Sequence, residues 1–430
     1  MTDRKTARED QYMEHYITKI HIDQVRHLHD VDIELNPNKR THLILTGKNG
    51  SGKTSLLEAI KTNLHTINEG NWNAVKTDYP MMVDHFINQA KNDKATESNR
   101  YAHIKNVEQW RDRIINAKAG IELCFNEEDD IDAVFQRGEF ITAFFSANRL
   151  VNIDLPHGVE NVKLEEVYKV NSNPVTQLVK YLVHLKTQQA YAKNEGDLQT
   201  EEVIDKWFKG FEKAIQRLMD DDSIRLKYDY KNYNYTITQN DRNEYSFTQL
   251  SDGYSAAIQI VADLMMRMDH NWLTNNKVAS FDMEGIALID EIETHLHMEL
   301  QRSILPFLTE MFPRIQFIVA THSAFVVNSL ENAVIYDLQS KTFVDHGLTN
   351  VTYEGIVEGY FKADTLSETL RNKFERYKAL VHKSVLTDDD YNEIMDLEQY
   401  LDEIPDYLSI QIAAEYARLK LEFRNREDSK

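Results

Sequence analysis

An α/β fold built on a parallel sheet is predicted by three features of this 430-residue chain. The apolar run HLILT, residues 42–46, enters an eight-residue glycine loop and leaves it as the helical pattern SLLEAI. From Gly285 onward, the segments GIALIDEIE and QFIVATHS bracket the helical HMELQRSILPFLTEMF, and AVIYDL follows. Their strands are apolar without polar alternation, as in a sheet buried on both faces. Ahead of the loop, YITKIHIDQVRHLHDVDIEL alternates and predicts two strands joined by a short turn.

The rest of the chain decorates this core. A chain this long exceeds the size at which one core stops growing, so insertions or an appended domain are expected. Four parts follow: residues 1–60 open the lobe and carry the glycine loop, 61–247 form an insertion region, 248–348 complete the lobe, and 349–430 form an acidic helical extension. Within the insertion, residues 61–118 read as mainly helical, with a strand pair near 120–125 and 139–146. Two amphipathic helices between Pro174 and Met219 are split by NEGD at 194–197. LKYDYKNYNYTITQ alternates as a strand whose aromatic residues suit cross-strand packing, in a region expected to hold a β-hairpin. Pro405 breaks two helical segments of the extension.

Composition excludes several classes. With 42% hydrophobic and 28% charged residues the chain is an ordinary globular protein. A net charge of -21, spread over both halves, argues against coating nucleic acid or anionic membrane by bulk electrostatics, though not against a local basic groove. The single cysteine, Cys124, permits no intramolecular disulfide and fits a reducing, cytoplasmic setting. Neither a signal peptide nor a membrane span is expected, since no apolar run reaches about 18 residues.

The glycine loop, Gly47-Lys48-Asn49-Gly50-Ser51-Gly52-Lys53-Thr54, matches the phosphate-binding P-loop in full. Only glycines let the main chain approach phosphate oxygens this closely, with backbone N–H groups converging at a new helix start. Gly47, Asn49, Gly50, Ser51, Gly52, Lys53, Thr54 and Ser55 are therefore the candidate nucleotide contacts. Lys53 is assigned to the β- and γ-phosphates and Thr54 to magnesium, so ATP and Mg2+ are the expected ligands. Asp290, at the end of a buried strand, is placed to hold the same magnesium, and Glu291 to polarise an attacking water. Leu250-Ser251-Asp252-Gly253-Tyr254 opens a helix; alone it reads as an N-cap. His322, alone, reads as a polar loop residue.

Taken in order, glycine loop, LSDGY, ALIDE and VATHS resemble the head domains of ABC, SMC and RecF-like ATPases. The stretch from Ala287 to Leu338 narrows the resemblance to the AAA-labelled, ABC-like ATPases of bacterial anti-phage defence, of the PARIS AriA or Septu PtuA type. The match covers about residues 16–55 and 248–338, and only loosely the insertion and extension. It implies an ABC-ATPase-like P-loop NTPase head with helical insertions and a helical C-terminal extension. It also implies that Ser251 and Gly253 touch the γ-phosphate of a second copy and that His322 senses it. Asn148 or Arg149, in FFSANR, would touch magnesium, water or the neighbouring subunit, and Thr294 to His297 would cross the dimer interface. Met298 and Ala324 stand where the pattern has proline, and Tyr254 where transporters have glutamine. The resemblance further implies slow, regulatory ATP hydrolysis in a homodimer or an oligomer of dimers. A separate effector, expected to be a nuclease, and a phage-encoded trigger would be its partners. The chain shows no nuclease motif: Asp388 to Asp390, after Thr387, read as a capped helix start. A RecF/SMC-like repair ATPase is the alternative; the acidic balance disfavours the DNA it would need, and no membrane partner is implied.

Overall fold

The computed structural model describes residues 14–92, 96–149, 153–240, 242–275, 282–353, 355–360, 368–403 and 410–427. The elements run β1 (Ile17–Val25), β2 (Leu28–Glu34), β3 (His42–Thr46), α1 (Lys53–Asn68), α2 (Tyr79–Ala90), α3 (Glu97–Lys118), β4 (Ile121–Phe125), α4 (Ile131–Gln136), β5 (Phe140–Phe145), α5 (Leu178–Glu195) and α6 (Leu198–Met219). They continue with β6 (Arg225–Asp229), β7 (Asn234–Gln239), β8 (Arg242–Ser246), α7 (Asp252–Asn275), β9 (Glu284–Ile289), α8 (Met298–Met311), β10 (Ile315–Ala320), α9 (Ala324–Val327), β11 (Ala333–Asp337) and β12 (Thr342–Val344). The chain forms two compact units, Met1–Tyr353 and Glu354–Lys430.

The first unit is organised by a six-stranded sheet of order β12-β11-β3-β10-β9-β5, parallel except at β12. Every residue of β3, β9, β10 and β11 is buried, which explains why these strands lack polar alternation. Parallel pairing of Ile289 with Phe145, Val319 with Ile289 and Ala320 with Leu45 brings four strand ends to one edge. α1 covers the sheet through Leu56, Leu57, Ile60 and Leu64, each fully buried and each contributing roughly 1.5–3 kcal/mol. The β1–β2 hairpin, in register from Lys19–Glu34 to Val25–Leu28, adds Ile20, Ile22 and Ile33 to the same core.

Two sequence expectations are corrected. The strands near 120–125 and 139–146 both exist but do not pair with each other. β4 joins the antiparallel sheet β2-β1-β4, with Ile121 opposite Ile22, whereas β5 lies parallel to β9. IELCF alternates buried and half-buried, as an outer sheet requires, while the first four residues of FITAFF are all buried. The tyrosine-rich stretch is not one strand but most of the meander β6-β7-β8. Asp229 Oδ1 accepts the N–H groups of Lys231 and Asn232 (3.0 and 3.3 Å), and Tyr233 takes φ 51°, so the chain turns back. Tyr235, 2% exposed, packs against Tyr228 and Phe208 with ring centroids 5.2 and 5.7 Å apart. The aromatic ladder is thus cross-strand and sheet-to-helix packing.

The second unit is helical: α10 (Glu368–Val381), α11 (Asp388–Asp402) and α12 (Ile410–Glu427) close on Phe374, Tyr377, Ile394, Leu401 and Leu419. Thr387 and Asp390 form a capping box, and Lys383 donates to Asp390 Oδ2 at 2.6 Å, holding its carboxyl down at about 2. The acidic run is a helix start, and among the described residues no cluster is arranged to hold a metal. Pro405 lies outside the described residues. No described helix is long and apolar enough to cross a membrane.

The segment before β1 is pinned by His15, 4% exposed. Its Nδ1 lies 3.0 Å from Glu284 Oε1 and its Nε2 2.8 Å from Asp130 Oδ1. Burial opposes the imidazolium, but the two carboxylates outweigh it and the pKa is raised. A raised folded pKa gives stability that is full below the unfolded value of about 6.5 and disappears as pH climbs through the folded value. The stability gap between wild type and His15→Gln, measured by urea unfolding from about pH 6 to about pH 9, is expected to shrink with rising pH. A gap that stays flat would show that the imidazolium is not what holds this segment.

Candidate nucleotide site

Gly47, Gly50 and Gly52 have φ of 132°, 82° and 100°, a region that side chains disfavour. A Cβ on Gly47 would also meet Ser51 Oγ at 2.8 Å. The loop therefore curls with its main chain bare, and Gly52 leads into α1 without a side-chain cap. The first N–H groups of that helix are left for an external acceptor. Lys53, 6% exposed, folds back so that Nζ donates to Gly47 O at 2.8 Å and Lys48 O at 3.4 Å. Burial lowers its pKa, opposed by Glu293, Glu291, Asp290 and Asp337. Ser51 Oγ and Thr46 Oγ1 are buried with no partner among the described residues.

Opposite stands Asp290, 4% exposed, whose N–H donates to Phe145 O at 2.8 Å. Burial pushes its carboxyl up; the bond with Thr54 works against that shift and the neighbouring Glu291 reinforces it. Its Oδ1 is buried and unpartnered among the described residues. Glu291 adopts φ 45° and accepts from Thr294 Oγ1 at 3.3 Å. Burial and Lys53 push the His322 imidazole pKa below its usual value, against the pull of Glu293, Glu291 and Asp290. Lys53, Thr54, Asp290, Glu291 and His322 thus converge at one sheet edge.

Ser251 and Gly253 do not join them within one chain: among the described residues no hydrogen bond ties either to the glycine loop. They begin α7, where Ser251 O accepts the N–H of Ser255 at 2.9 Å. A Cβ on Gly253 would lie 2.4 Å from His295 O, so only glycine fits against that loop. Next to it, Tyr254 Oη lies 3.2 Å from His297 Nε2, and His297 Nδ1 accepts the Leu300 N–H at 3.2 Å, capping α8. His297 is thus engaged at both ring nitrogens, by the helix start and by the tyrosine.

Three supporting residues carry no local signal in the sequence or a misleading one. Arg149, one of the two residues of FFSANR that the resemblance places near magnesium, water or a neighbour, is 6% exposed, and its guanidinium clasps its own main chain. Nη1 donates to Asp290 O at 2.6 Å and Ser146 O at 3.2 Å, and Nη2 to Glu291 O at 2.9 Å and Ile292 O at 3.3 Å. Burial pulls its pKa down to about 10. Glu293 accepts from Thr321 Oγ1 at 2.7 Å and from the His322 N–H at 2.5 Å. Gln301 accepts from Ser323 Oγ and donates to Leu296 O, both at 2.7 Å. Arg149 and Glu293 reach main-chain atoms across a long sequence separation, and Gln301 joins a nearby carbonyl to a distant hydroxyl; residue-type patterns encode none of these pairings.

An α/β P-loop ATPase fold is the class defined by this sheet, its glycine loop and the acidic strand two places away. Within that class the sequence resembles the ATPases of bacterial defence systems. Residues 165–328 match a family model described as "AAA domain, putative AbiEii toxin, Type IV TA system". Septu protein PtuA of Bacillus mycoides (strain KBAB4) is 26% identical over 400 residues, covering 90% of this chain and 50% of that protein. "Retron Ec83 probable ATPase" of Escherichia coli is 32% identical over 160 residues, covering 36% of this chain and 29% of that one. The chain spans about half the length of that PtuA, or less for the retron ATPase. Solved structures that superpose include an SMC head bound to the C-winged helix domain of ScpA (TM-score 0.38, 14% identity, 75% of this chain and 93% of that chain) and the SMC head domain from Thermotoga maritima (TM-score 0.32, 14% identity, 75% and 94%). At such scores the fold assignment rests on the strand order and the glycine loop.

Arg149→Met leaves the carbonyls of Asp290, Glu291 and Ile292 without this donor. A stability loss of about 2–4 kcal/mol is expected in urea unfolding, since a buried polar group without a partner costs about 1–3 kcal/mol. A loss within about 0.5 kcal/mol, the range of an ordinary surface change, would mean the clasp does not hold the loop.

Proposed function

We propose that the chain binds Mg-ATP, closes as a homodimer around it and hydrolyses it as the regulator of a separate effector in anti-phage defence. The observation that carries this reading is the unpartnered, buried Oδ1 of Asp290 beside Thr54, across from Lys53 and the bare glycine loop. A buried carboxylate oxygen and exposed helix N–H groups are complementary to a cation and a polyphosphate respectively, so the residues fit both ligands. Beside them, an open cleft of about 400 Å³ between the β1–β2 turn and α1, lined by Arg26, Thr54, Ser55 and Glu58 among others, has room for the nucleoside.

Thr54 and Asp290 are the proposed holders of magnesium, which when bound supplies positive charge against the phosphate oxygens. Lys53 exchanges its bonds to Gly47 O and Lys48 O for phosphate oxygens. Glu291 orients the attacking water, and His322, whose main-chain N–H donates to Glu293, faces the terminal phosphate. Among the described residues Ser251 and Gly253 make no hydrogen bond to the glycine loop of their own chain, which supports a second copy supplying them. The defence setting, with a nuclease as the expected effector and a phage product as trigger, is supported by the similarity to Septu PtuA and the retron ATPase. The lone Cys124, a free thiol, suits a cytoplasmic protein.

The test is solution mass with Mg-ATP. Glu291→Gln is expected to accumulate as a stable dimer and Lys53→Ala to remain unable to form it; if ATP changes the mass of neither wild type nor Glu291→Gln, the sandwich is wrong. Glu293→Gln is expected to lower kcat by about 10- to 100-fold with KM for ATP nearly unchanged, as for groups that orient a reacting side chain. A rise in KM alone would instead place Glu293 in ground-state binding.

A further inference from the structure

Behind the strand edge, a cavity of about 220 Å³ opens between the end of β5, residues 259–263 of α7 and the 171–175 segment. Two polar atoms of its lining residues are buried without partners among the described residues: Arg149 Nε and Gln259 Oε1. They are unlike in kind. One gives an N–H and the other accepts one. Gln259 is 5% exposed and its amide is oriented by Nε2 donating to Ser255 Oγ at 3.2 Å, which leaves Oε1 as the free end. Phe144, Phe145 and Val175 give the same cavity apolar wall.

The charges around it argue against a phosphorylated or ionic ligand. The guanidinium nitrogens Nη1 and Nη2 of Arg149 are committed to main-chain carbonyls, and Asp263 is paired with Arg267 Nε at 2.5 Å. Among the described lining residues, no lysine and no second arginine stands ready for a phosphate. What suits the cavity is a neutral, flat molecule with a hydrogen-bond acceptor and an N–H donor on its edge and apolar faces. A nucleobase has this chemistry, and a cavity of about 220 Å³ has room for the base.

We propose that this cavity is a second ligand site, for the base of a nucleoside, separate from the glycine loop. The base accepts from Arg149 Nε and donates to Gln259 Oε1. Because the other nitrogens of Arg149 hold the carbonyls of Asp290, Glu291 and Ile292, the ligand stiffens the segment that carries the candidate water-orienting carboxylate. The site stands on the cavity and its orphaned atoms, and does not require ATP hydrolysis.

The full chain and its Lys53→Ala variant are titrated calorimetrically with adenosine, guanosine, cytidine and uridine. At least one nucleoside is expected to bind one-to-one, equally well to both proteins. Its Kd is expected to rise at least about tenfold in Gln259→Met, which keeps the shape and removes the acceptor, and to return towards wild type in Gln259→Glu. No binding by any nucleoside overturns the proposal. So does binding that survives Gln259→Met but is lost in Lys53→Ala, which would put the nucleoside in the cleft beside the P-loop. A short single-stranded oligonucleotide that competes for the Gln259-dependent site supports the base chemistry and names a strand as its source. If Gln259→Met does not fold, hydrogen exchange decides: the bound nucleoside is expected to slow exchange of residues 290–297 at least about fivefold in the wild type, and unchanged exchange overturns the idea.

Discussion

Lys53 and the carboxylates of Asp290, Glu291, Glu293 and Asp337 influence one another at the end of an otherwise apolar parallel sheet. Charges taken out of water in this way are tolerated only when their geometry is fixed and their remaining atoms are hydrogen-bonded. Much of the surrounding architecture can be understood as meeting that condition. Lys53 is tied to its own loop, Glu293 is tied to Thr321 and His322, and Asp337 Oδ1 accepts the N–H groups of Gln339 and Ser340, both at 2.8 Å. The atoms left over, Asp290 Oδ1 and the hydroxyls of Ser51 and Thr46, lie at the mouth of the glycine loop. Partners outside the chain are complementary to what remains.

The segment after β9 has supports on several sides. Arg149 grips its carbonyls from the end of β5, Gln301 holds Leu296 O from α8, and Glu293 reaches the end of β10. Against its outer side, α7 packs Gly253 on His295 and Tyr254 on His297. Two residues in it, Glu291 and His295, take positive φ without being glycine, at 45° and 66°. Such conformations persist where surrounding structure over-determines them, and here the clasp and the helix contacts supply that constraint. The same contacts fix the segment relative to β5, β10, α7 and α8.

The parts of this site legible in the sequence are those whose chemistry is local. A glycine loop must consist of the residues that make it, and Asp290 announces itself because an apolar strand ends there. Arg149 was visible as a residue but not in its role, because an arginine after a strand says nothing about which carbonyls it will meet 141 to 143 positions later. Glu293 and Gln301 were illegible for the same reason: they act on His322 N–H and Leu296 O, and every residue has an N–H and a carbonyl. The pairing of β4 and β5 with different sheets was misread because both are short and apolar in part. What separates them is alternation against continuous burial, a distinction of two or three residues.

The electrostatics of the site have a direction. Burial disfavours charge on Lys53 and on Asp290 alike, lowering one pKa and raising the other. Each group is also close to opposite charge, which keeps the site from simply neutralising itself. A ligand that brings negative oxygens to Lys53 and positive charge to Asp290 relieves both penalties at once, whereas an anion alone would add to the carboxylates already present. The placement of Asp290, Glu291 and Glu293 around one lysine therefore suits a polyphosphate with its cation better than a bare anion.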